Sequence, residues 1–269
     1  MIEAKNLTRQ FPGGTVALEG INLTVPDGQF ISLVGPSGCG KSTLLSLLAG
    51  LDKPSAGSVI GIERPAVVFQ DAALYPWKTV LQNVAFGLEL RGLSKAACRE
   101  KAEVALRTVH LSRFARAYPH ELSGGMRQRA AIARALVLEP DALFLDEPFG
   151  ALDAQTRSLL QTELLTLWER TQVSVVFVTH SLEEAIALSD RVILMASRPG
   201  RIIADVLIDA PRPRALRHDL TLAAIQDRLL AQLSEEVARV AAQEYDTDWR
   251  GVPLPTLSVA PGEEGGSGI

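Results

Sequence analysis

Two glycine-rich segments, far apart in the chain, constrain its fold more than any other feature. Residues 35–42 read GPSGCGKS, and residues 122–125 read LSGG at the start of a helical pattern. The first segment fits a loop whose backbone N–H groups turn inward around phosphates, between a strand and a helix. The second offers another helix N-terminus to an anion. Because a chain would normally bring its second segment to another chain's nucleotide, the two together predict a paired ATPase.

The composition sets limits on the partners and the setting of this chain. It has 269 residues, 47% of them hydrophobic, a formal net charge of −4 and two cysteines, Cys39 and Cys98. That charge argues against a protein that coats nucleic acid, and two cysteines give no disulfide framework, which favours a reducing cytoplasmic setting. We find neither the form of a signal peptide nor an apolar run as long as a membrane span. Work at a membrane would therefore need the helices of another subunit.

The order of strand-like and helix-like runs predicts an α/β fold. Residues 1–34 alternate short polar and apolar runs, which indicates a small antiparallel β layer feeding a strand that ends at Val34. A mostly helical stretch covers about residues 72–138, and strand-like runs return at residues 142–145, 173–178 and 191–195. We therefore predict a P-loop ATPase core with a mainly parallel sheet, an N-terminal antiparallel β layer and an inserted helical subdomain.

Two helix starts are predicted beyond the strand-like run at residues 142–145. Asp153 is placed to cap a helix that runs from about Ala154 to Glu169. Another helix is expected to start at Ser181, where Ser181 and Glu184 form a capping-box pattern.

The C-terminal part of the chain differs in character. Within residues 211–245, apolar residues recur at helical spacing, which predicts an amphipathic helical extension that docks on its own core rather than on a membrane surface. Residues 246–269 are rich in proline, glycine and serine, which predicts a disordered tail. The predicted organisation is an ATPase domain over residues 1–210, followed by the extension and the tail.

The first glycine-rich segment matches the Walker A pattern in full. Lys41 is expected to reach the β- and γ-phosphates, and the Ser42 hydroxyl is expected to ligate Mg²⁺. The alternative is a glycine-rich turn that merely joins strand to helix, and the strand–loop–helix context favours a phosphate-binding loop over it. The residues predicted to bind ATP here are Gly35, Pro36, Ser37, Gly38, Cys39, Gly40, Lys41, Ser42 and Thr43.

Polar residues at other strand ends complete the predicted chemistry. Asp146 and Glu147 end an apolar strand, where Asp146 would hold Mg²⁺ and Glu147 would polarise the attacking water. His180 follows another strand and would sense the γ-phosphate. Gln70 ends a third apolar run, and its amide could reach Mg²⁺ or the water. For Gln70 the alternative of a plain polar strand end stays open. The ring of Phe11 could stack on adenine, and for this residue core packing stays open as the alternative.

With these residues in place, residues 1–210 resemble an ABC transporter ATP-binding subunit. The resemblance rests on Phe11, the Walker A loop, Gln70, the Leu122–Gly125 signature, Asp146 with Glu147, the loop at residues 151–153, and His180. The segments VVFQ at 67–70, LYPW at 74–77, RPGR at 198–201 and PRPR at 211–214 resemble the nitrate/sulfonate/taurine importer branch. Met126 departs from the family, which commonly has glutamine there; this change should tune the signature rather than abolish it.

The resemblance implies a head-to-tail homodimer at the cytoplasmic face of the cell membrane. Each ATP would lie between Lys41 of one subunit and Ser123, Gly124 and Gly125 of the other, with Asp153 communicating across the interface. The segment around residues 72–86 would receive a coupling helix of an integral membrane permease. A solute-binding protein would deliver the substrate, a small anion such as taurine, another sulfonate or nitrate, whose identity the cassette does not record.

Other functions explain the sequence less well. An ABC ATPase that acts on nucleic acid or ribosomes would usually have tandem cassettes or long coiled-coil insertions, and we find one cassette and neither insertion. A small-molecule kinase or a GTPase would not need the Leu122–Gly125 signature, and a guanine-reading Asn-Lys-x-Asp motif is missing. An exporter ATPase of the same family stays open, because the cassette does not record the direction of transport.

Overall fold

The computed structural model describes residues 1–150, 152–214 and 219–244 of the chain. Its strands are β1 (Ile2–Gln10), β2 (Val16–Val25), β3 (Phe30–Val34), β4 (Ala56–Ile60), β5 (Pro65–Val68), β6 (Ala142–Asp146), β7 (Ser174–Val178), β8 (Arg191–Ala196) and β9 (Arg201–Leu207). Its helices are α1 (Lys41–Leu48), α2 (Val80–Leu90), α3 (Lys95–Thr108), α4 (Gly124–Leu136), α5 (Ala154–Thr171), α6 (Leu182–Leu188) and α7 (Leu220–Glu244), with 3-10 turns at Ser112–Phe114 and Pro119–Glu121.

Six strands form the central sheet, in the order β5-β6-β7-β3-β8-β9. The first five of these pair in parallel, and β9 pairs antiparallel with β8 at the edge. Every residue of β3 and β7 is buried, as expected where helices cover both faces of a parallel sheet. The predicted fold class, an α/β P-loop ATPase core with a mainly parallel sheet, is confirmed.

Two apolar clusters cover the faces of this sheet. On one face, the leucines of α1 pack with inward side chains of the N-terminal β layer and with β3, β6 and β7. On the other face, Leu160, Leu164 and Leu167 of α5 pack with Leu143 and Phe177. The sheet is therefore held rigidly from both sides, and its strand ends are placed accurately.

The N-terminal layer is a three-stranded antiparallel sheet in the order β2-β1-β4. Its inner face carries buried side chains such as Ile2, Leu7 and Ile21, while the alternate residues face outward. The third strand, β4, comes from residues after α1, whereas the sequence pattern placed the layer within residues 1–34 alone. Alternation is weak in β4, where most residues are exposed, so the pattern gave no signal there.

Three helices, α2, α3 and α4, form a separate apolar cluster within residues 72–138. Each begins at a hydroxyl residue whose side chain accepts a hydrogen bond from the first helical turn: Thr79, Ser94 and Ser123. Thr79 and Gln82 form a reciprocal capping box. Met126 is partly buried and packs against this cluster, so its side chain serves the subdomain's core.

The C-terminal helix α7 packs on α6 and β8 through Leu222 and Leu229, which are buried. Among the described residues, no helix is long and apolar enough to cross a bilayer. The predicted disordered tail at residues 246–269 lies outside the described residues.

The PRPR segment at residues 211–214 closes the end of α6. Arg214 donates hydrogen bonds to the backbone oxygens of Ile186 and Ser189, and Arg212 donates to that of Leu188. These carbonyls lie at a helix C-terminus, where intrahelical partners are missing and positive charge is favourable. Burial lowers the pKa of Arg214 to about 10, with Arg212 contributing in the same direction. The segment therefore has a structural role.

The two predicted caps beyond the acidic strand have different outcomes. Asp153 caps α5 as predicted, by accepting from the N–H groups of Gln155 and Thr156. Ser181 caps α6, but the expected capping box with Glu184 is wrong, because the N–H of Ser181 donates to Thr179 Oγ1. That hydroxyl in turn donates to Glu184, so the carboxylate pairs with Thr179 rather than with the N–H of Ser181.

Candidate nucleotide-binding and hydrolysis site

The carboxyl ends of four parallel strands meet at one edge of the sheet. The register pairs Val68 with Leu145, Asp146 with Val178, and Leu33 with Val178. The segments that follow β5, β6, β7 and β3 carry Gln70, Glu147, His180 and the phosphate loop. Four stretches that are distant in sequence are thus brought to the edge where open α/β sheets bind ligands.

Glycine conformation shapes the phosphate loop. Gly38 and Gly40 have φ values of +76° and +93°, a region that residues with a side chain rarely adopt. At the loop's first residue, a Cβ added to Gly35 would lie 2.6 Å from the backbone oxygen of Met195. Ser37, Gly38 and Ser42 are exposed, whereas Cys39 is buried. The loop is therefore closed on the protein side and open to solvent at its rim.

Lys41 is buried although it carries a charge. Its exposed fraction is 6%, and its ammonium group donates to the backbone oxygens of Gly35 (2.8 Å) and Pro36 (3.0 Å). Burial raises the pKa of the neighbouring Cys39 thiol, an effect that Lys41 partly offsets. The ammonium group also lies 3.9 Å from Cys39 Sγ, and none of these three partners is a carboxylate. A buried cation held by neutral groups is well placed to pair with an anion that enters the loop.

Ser42 and Asp146 form the second polar contact of the loop. The Ser42 hydroxyl donates to Asp146 Oδ1 at 3.0 Å. Burial raises the pKa of Asp146, with the nearby charge of Glu147 adding to the rise and the Ser42 hydrogen bond opposing it. A desolvated carboxylate held in this way would be stabilised by a cation.

These two side chains fit Mg²⁺. Both supply oxygen, the donor that Mg²⁺ prefers, and Mg²⁺ commonly takes only one or two protein ligands together with phosphate oxygens and water. The raised pKa of Asp146 is the observation that agrees with a cation here. Ser42 and Asp146 are therefore the residues that would hold it.

Glu147 and His180 lie together at the strand edge. His180 Nδ1 is 3.3 Å from Glu147 Oε2, and the His180 side chain is 63% exposed. Glu147 has a φ of +44°, unusual for a residue with a side chain, and its N–H donates to the backbone oxygen of Val178. Such strained residues cluster at functional sites. The strain here turns the carboxylate back over the sheet edge, toward His180.

Gln70 lies near the same carboxylate. A Cβ added to Gly150 would lie 3.1 Å from Gln70 Nε2 and 3.7 Å from Glu147 Oε2. The side chains of Gln70 and Glu147 thus flank one glycine, so the structure brings together Gln70, Glu147 and His180. Gln70 therefore lies in the neighbourhood of Glu147. Its role as a Mg²⁺ ligand stays a prediction.

The signature segment begins helix α4 beside the start of α5. Ser123 and Gly124 are exposed, and Ser123 Oγ accepts from the N–H of Met126 at 3.3 Å. A Cβ on Gly125 would lie 2.7 Å from Thr156 Cγ2, so glycine lets the two helix starts approach. Hydrogen bonds from Thr156 lower the pKa of Asp153 at the N-terminus of α5. Ala151, in the predicted loop before Asp153, lies outside the described residues.

Phe11 lies in the turn that joins β1 to β2. It is 40% exposed, and the guanidinium carbon of Arg9 lies 5.1 Å from the centre of its ring. The strand after this turn touches the phosphate loop, since a Cβ on Gly40 would lie 2.8 Å from Leu18 Cδ2. Core packing, one of the two interpretations of Phe11, does not fit this exposure; stacking on adenine stays a prediction.

Two residues that connect these parts were missed from the sequence. Gln128 of α4 is 3% exposed and donates to the backbone oxygen of Phe69, directly before Gln70. Arg134, on the same helix, donates to the backbone oxygens of Ala72 and Ala73. The signature helix therefore holds the segment around Gln70. A buried polar residue on an alanine-rich helix face was the available signal for Gln128.

Comparison with known sequences places this arrangement among described proteins. The sequence profile of a family described as "ABC transporter" matches residues 18–150. The chain is 47% identical over 250 residues to an uncharacterized ABC transporter ATP-binding protein of Methanocaldococcus jannaschii, covering 88% of this chain and 93% of that protein. It is 50% identical over 246 residues to an aliphatic sulfonates import ATP-binding protein of Streptomyces avermitilis, covering 91% and 95%.

A further relative and a solved structure extend this similarity. The nitrate import ATP-binding protein of Synechocystis sp. is 46% identical over 222 residues, covering 78% of this chain and 83% of that protein. A dimeric ATP-binding cassette solved in a post-hydrolysis state with ADP and Pi matches with a TM-score of 0.70 at 33% identity, covering 78% of this chain and 100% of that one.

Proposed function

We infer the function from one premise: this chain belongs to the ABC transporter ATP-binding family and is an ATPase. We propose that it is the ATP-hydrolysing subunit of an importer, which couples ATP binding and hydrolysis to the uptake of a small anion through a separate membrane permease. The observation that carries the proposal is the Ser42–Asp146 contact beside the Glu147–His180 pair at one sheet edge. The proposed location is the cytoplasmic face of the cell membrane.

We assign a role to each residue at the sheet edge. Lys41 and the N–H groups of the phosphate loop would bind the phosphates, and Ser42 and Asp146 would hold Mg²⁺, which neutralises phosphate charge when bound. Glu147 would accept a proton from the attacking water. His180, 3.3 Å from that carboxylate, would orient Glu147 and contact the γ-phosphate. Gln70, near the same carboxylate, would link the site to the helical subdomain.

The exposed start of α4 supports a dimer. Ser123 and Gly124 present a hydroxyl and helix N–H groups to solvent, a combination that binds anions. We propose that they contact the nucleotide of a second copy, head to tail, with Asp153 at the same interface. The solved cassette described above is itself dimeric, which agrees with this arrangement.

An aromatic cluster with one exposed ring supports a permease contact. Tyr75 lies 5.6 Å from Trp77 and 4.9 Å from Phe86, measured between ring centres, and Trp77 is 71% exposed. The Lys78 ammonium group lies 4.8 Å from the centre of the Phe86 ring. This cluster directly follows the Gln70 segment, so a permease helix bound there would respond to the nucleotide site.

The class of substrate rests on relatives alone. Proteins named for the import of aliphatic sulfonates and of nitrate are 50% and 46% identical to this chain. We propose a sulfonate, taurine among them, or a nitrate-like anion as the transported solute, delivered by a solute-binding protein. None of the relatives described above is named for work on nucleic acid or ribosomes, so nothing here favours that alternative.

The test is to capture partners with the Glu147→Gln variant. This change keeps the shape of the side chain but removes its basicity, so ATP should hold the closed dimer together. Gently solubilised membranes, with ATP and tagged variant present, should yield a polytopic permease, whose solute-binding protein could then be screened with sulfonates and nitrate. Recovery of nucleic acid or ribosomes without a membrane subunit would overturn the proposal. Lys41→Ala in the same preparation controls for capture that does not depend on ATP.

A further inference from the structure

The turn between β8 and β9, residues 197–200, lies against the back of the phosphate loop. Gly200 N donates to the backbone oxygen of Ala17 at 2.9 Å, and Glu19 N donates to that of Gly200 at 3.0 Å. A Cβ on Gly200 would lie only 2.3 Å from the backbone oxygen of Cys39, inside the loop. Backbone thus touches backbone with no side chain between them. A shift of the turn must therefore shift the loop, because packed interiors transmit such displacements.

A second close contact fixes the start of the loop to the same hairpin. Gly35 lies against the backbone oxygen of Met195, since a Cβ added to Gly35 would lie 2.6 Å from that oxygen. Met195 belongs to β8, which pairs in parallel with β3 and brings Leu194 beside Val34. The β8–β9 hairpin therefore supports the phosphate loop at two points, Gly35 and Cys39.

Arg239 of the C-terminal helix α7 contacts this turn. Arg239 Nη2 donates to the backbone oxygen of Ser197 at 2.5 Å and to Glu236 Oε2 at 2.7 Å. Ser197 is 1% exposed, so water cannot readily replace the guanidinium as the partner of its carbonyl. Glu236, three residues earlier on the helix, orients the guanidinium through its charge.

Helix α7 is itself packed on the core of the protein, so its contact with the turn can fix the position of the turn. Leu222 and Leu229 are 2% and 0% exposed and belong to one cluster with Ile186 and Leu194. The helix is thus tied to α6 and β8, and Arg239 extends from this anchored helix to the turn. A chain of direct contacts joins α7, Ser197, Gly200 and Cys39.

We propose that Arg239 is a positioning residue for nucleotide binding, which fixes the back of the phosphate loop by holding the turn at residues 197–200. The inference rests on the proposed function, since it assumes that the phosphate loop binds ATP. Arg239 touches none of the residues assigned to hydrolysis. Its loss should therefore raise the Kd and the KM for ATP and leave kcat at saturating ATP unchanged.

The test measures binding of a fluorescent ATP analogue to the purified full chain. Arg239→Ala should raise Kd about three- to tenfold, the range expected for residues that act through neighbours. Arg239→Lys keeps one donor for the Ser197 carbonyl and should give an intermediate value. Arg228→Ala, an exposed arginine on the same helix, is the matched control and should bind as the wild type does. Thermal unfolding of each variant reports whether it is folded.

Three results would overturn the inference. They are a folded Arg239→Ala protein with wild-type Kd, an equal rise of Kd in Arg228→Ala, and a fall in kcat without a change in KM. Should Arg239→Ala fail to fold, Glu236→Gln takes its place, with an expected rise in Kd of about twofold; unchanged Kd in both Glu236→Gln and Arg239→Lys would then overturn it. Failure of the wild type to bind, or equal binding by Lys41→Ala, would instead refute the proposed function.

Discussion

The two glycine-rich segments differ in how far the chain completes them by itself. In the phosphate loop, Lys41 is 6% exposed and Cys39 is 1% exposed, and the Lys41 ammonium group is held by loop carbonyls. In the signature segment, Ser123 and Gly124 are exposed, and the Ser123 hydroxyl serves only its own helix start. The phosphate loop is closed on its protein side, whereas the signature segment presents its hydrogen-bond donors to solvent.

The glycines of the two segments show why. A Cβ added to Gly35 would lie 2.6 Å from the backbone oxygen of Met195, so the absence of a side chain lets the loop pack against the central sheet. A Cβ added to Gly125 would lie 2.7 Å from the side-chain methyl of Thr156, so glycine lets the signature pack against the start of α5. The first contact encloses a ligand site within the chain. The second aligns the N-termini of α4 and α5, and under the proposed function an anion would reach the start of α4 from a second chain. Under the proposed head-to-tail dimer, the two glycine-rich segments would serve opposite sides of one interface.

The largest expected effect tests whether ATP is hydrolysed by residues at the same sheet edge as the phosphate loop. Glu147→Gln should lower ATP turnover by about 10² to 10⁴, because an amide cannot accept the proton of the attacking water. Binding of ATP should persist. Phosphate release by the purified protein measures turnover, and Glu139→Gln, which alters an exposed carboxylate paired with Lys101, is the control. Turnover unchanged in Glu147→Gln would remove this residue from the mechanism.

A smaller effect tests whether the phosphate loop is complete within one chain. Lys41→Ala should raise the Kd for ATP about ten- to a hundredfold, the loss expected for a hydrogen bond to a charged group. The change should appear even at protein concentrations where the chain is monomeric. Titration with a fluorescent ATP analogue measures it, with exposed Lys53→Ala as the control. Wild-type affinity in Lys41→Ala would contradict the assignment of the loop.

The next prediction tests whether the signature needs a second chain. Ser123→Ala should weaken the ATP-driven dimer of the Glu147→Gln protein about tenfold, while monomeric ATP binding stays intact. Sedimentation or light scattering against protein concentration measures the dimer. Ser94→Ala is a matched control, because Ser94 caps α3 with the same geometry, 3.3 Å from the N–H of Ala97. Both variants lose a cap worth about 1 kcal/mol. Equal dimerisation in the two variants would refute the role of Ser123.

The smallest expected effect is the loss of folding stability caused by burying the Asp146 carboxylate without a cation. Burial raises the pKa of Asp146, so between the ordinary carboxyl pKa and the raised value the folded chain binds more protons than the unfolded chain. The free energy of unfolding therefore falls as pH rises through that window. Without nucleotide at neutral pH, Asp146→Asn should raise Tm by about 1 to 3 °C, and the gain should vanish in acid. A pH-independent or negative change in Tm would show that the carboxylate is not penalised by burial.

Local patterns predicted the elements whose signal lies within a few residues. The Walker A loop lies between β3 and α1 as the motif requires, and Asp153 caps α5. Strand β4 was missed as a member of the N-terminal layer, because its exposed residues carry no alternation. The capping box at Ser181 was wrong because Thr179, two residues before it, competes for the same groups.

The sequence alone determined the fold class and the residues that could bind a nucleotide, since glycine turns, strand ends and caps are written in short stretches of chain. The tertiary structure alone decided which of them meet. It placed Gln70 and His180 near Glu147. It also used Gln128 and Arg134 to hold the Gln70 segment, and set Arg239 behind the phosphate loop. These contacts join residues far apart in the chain, and packing of the sheet and helices fixes them, which no local pattern records.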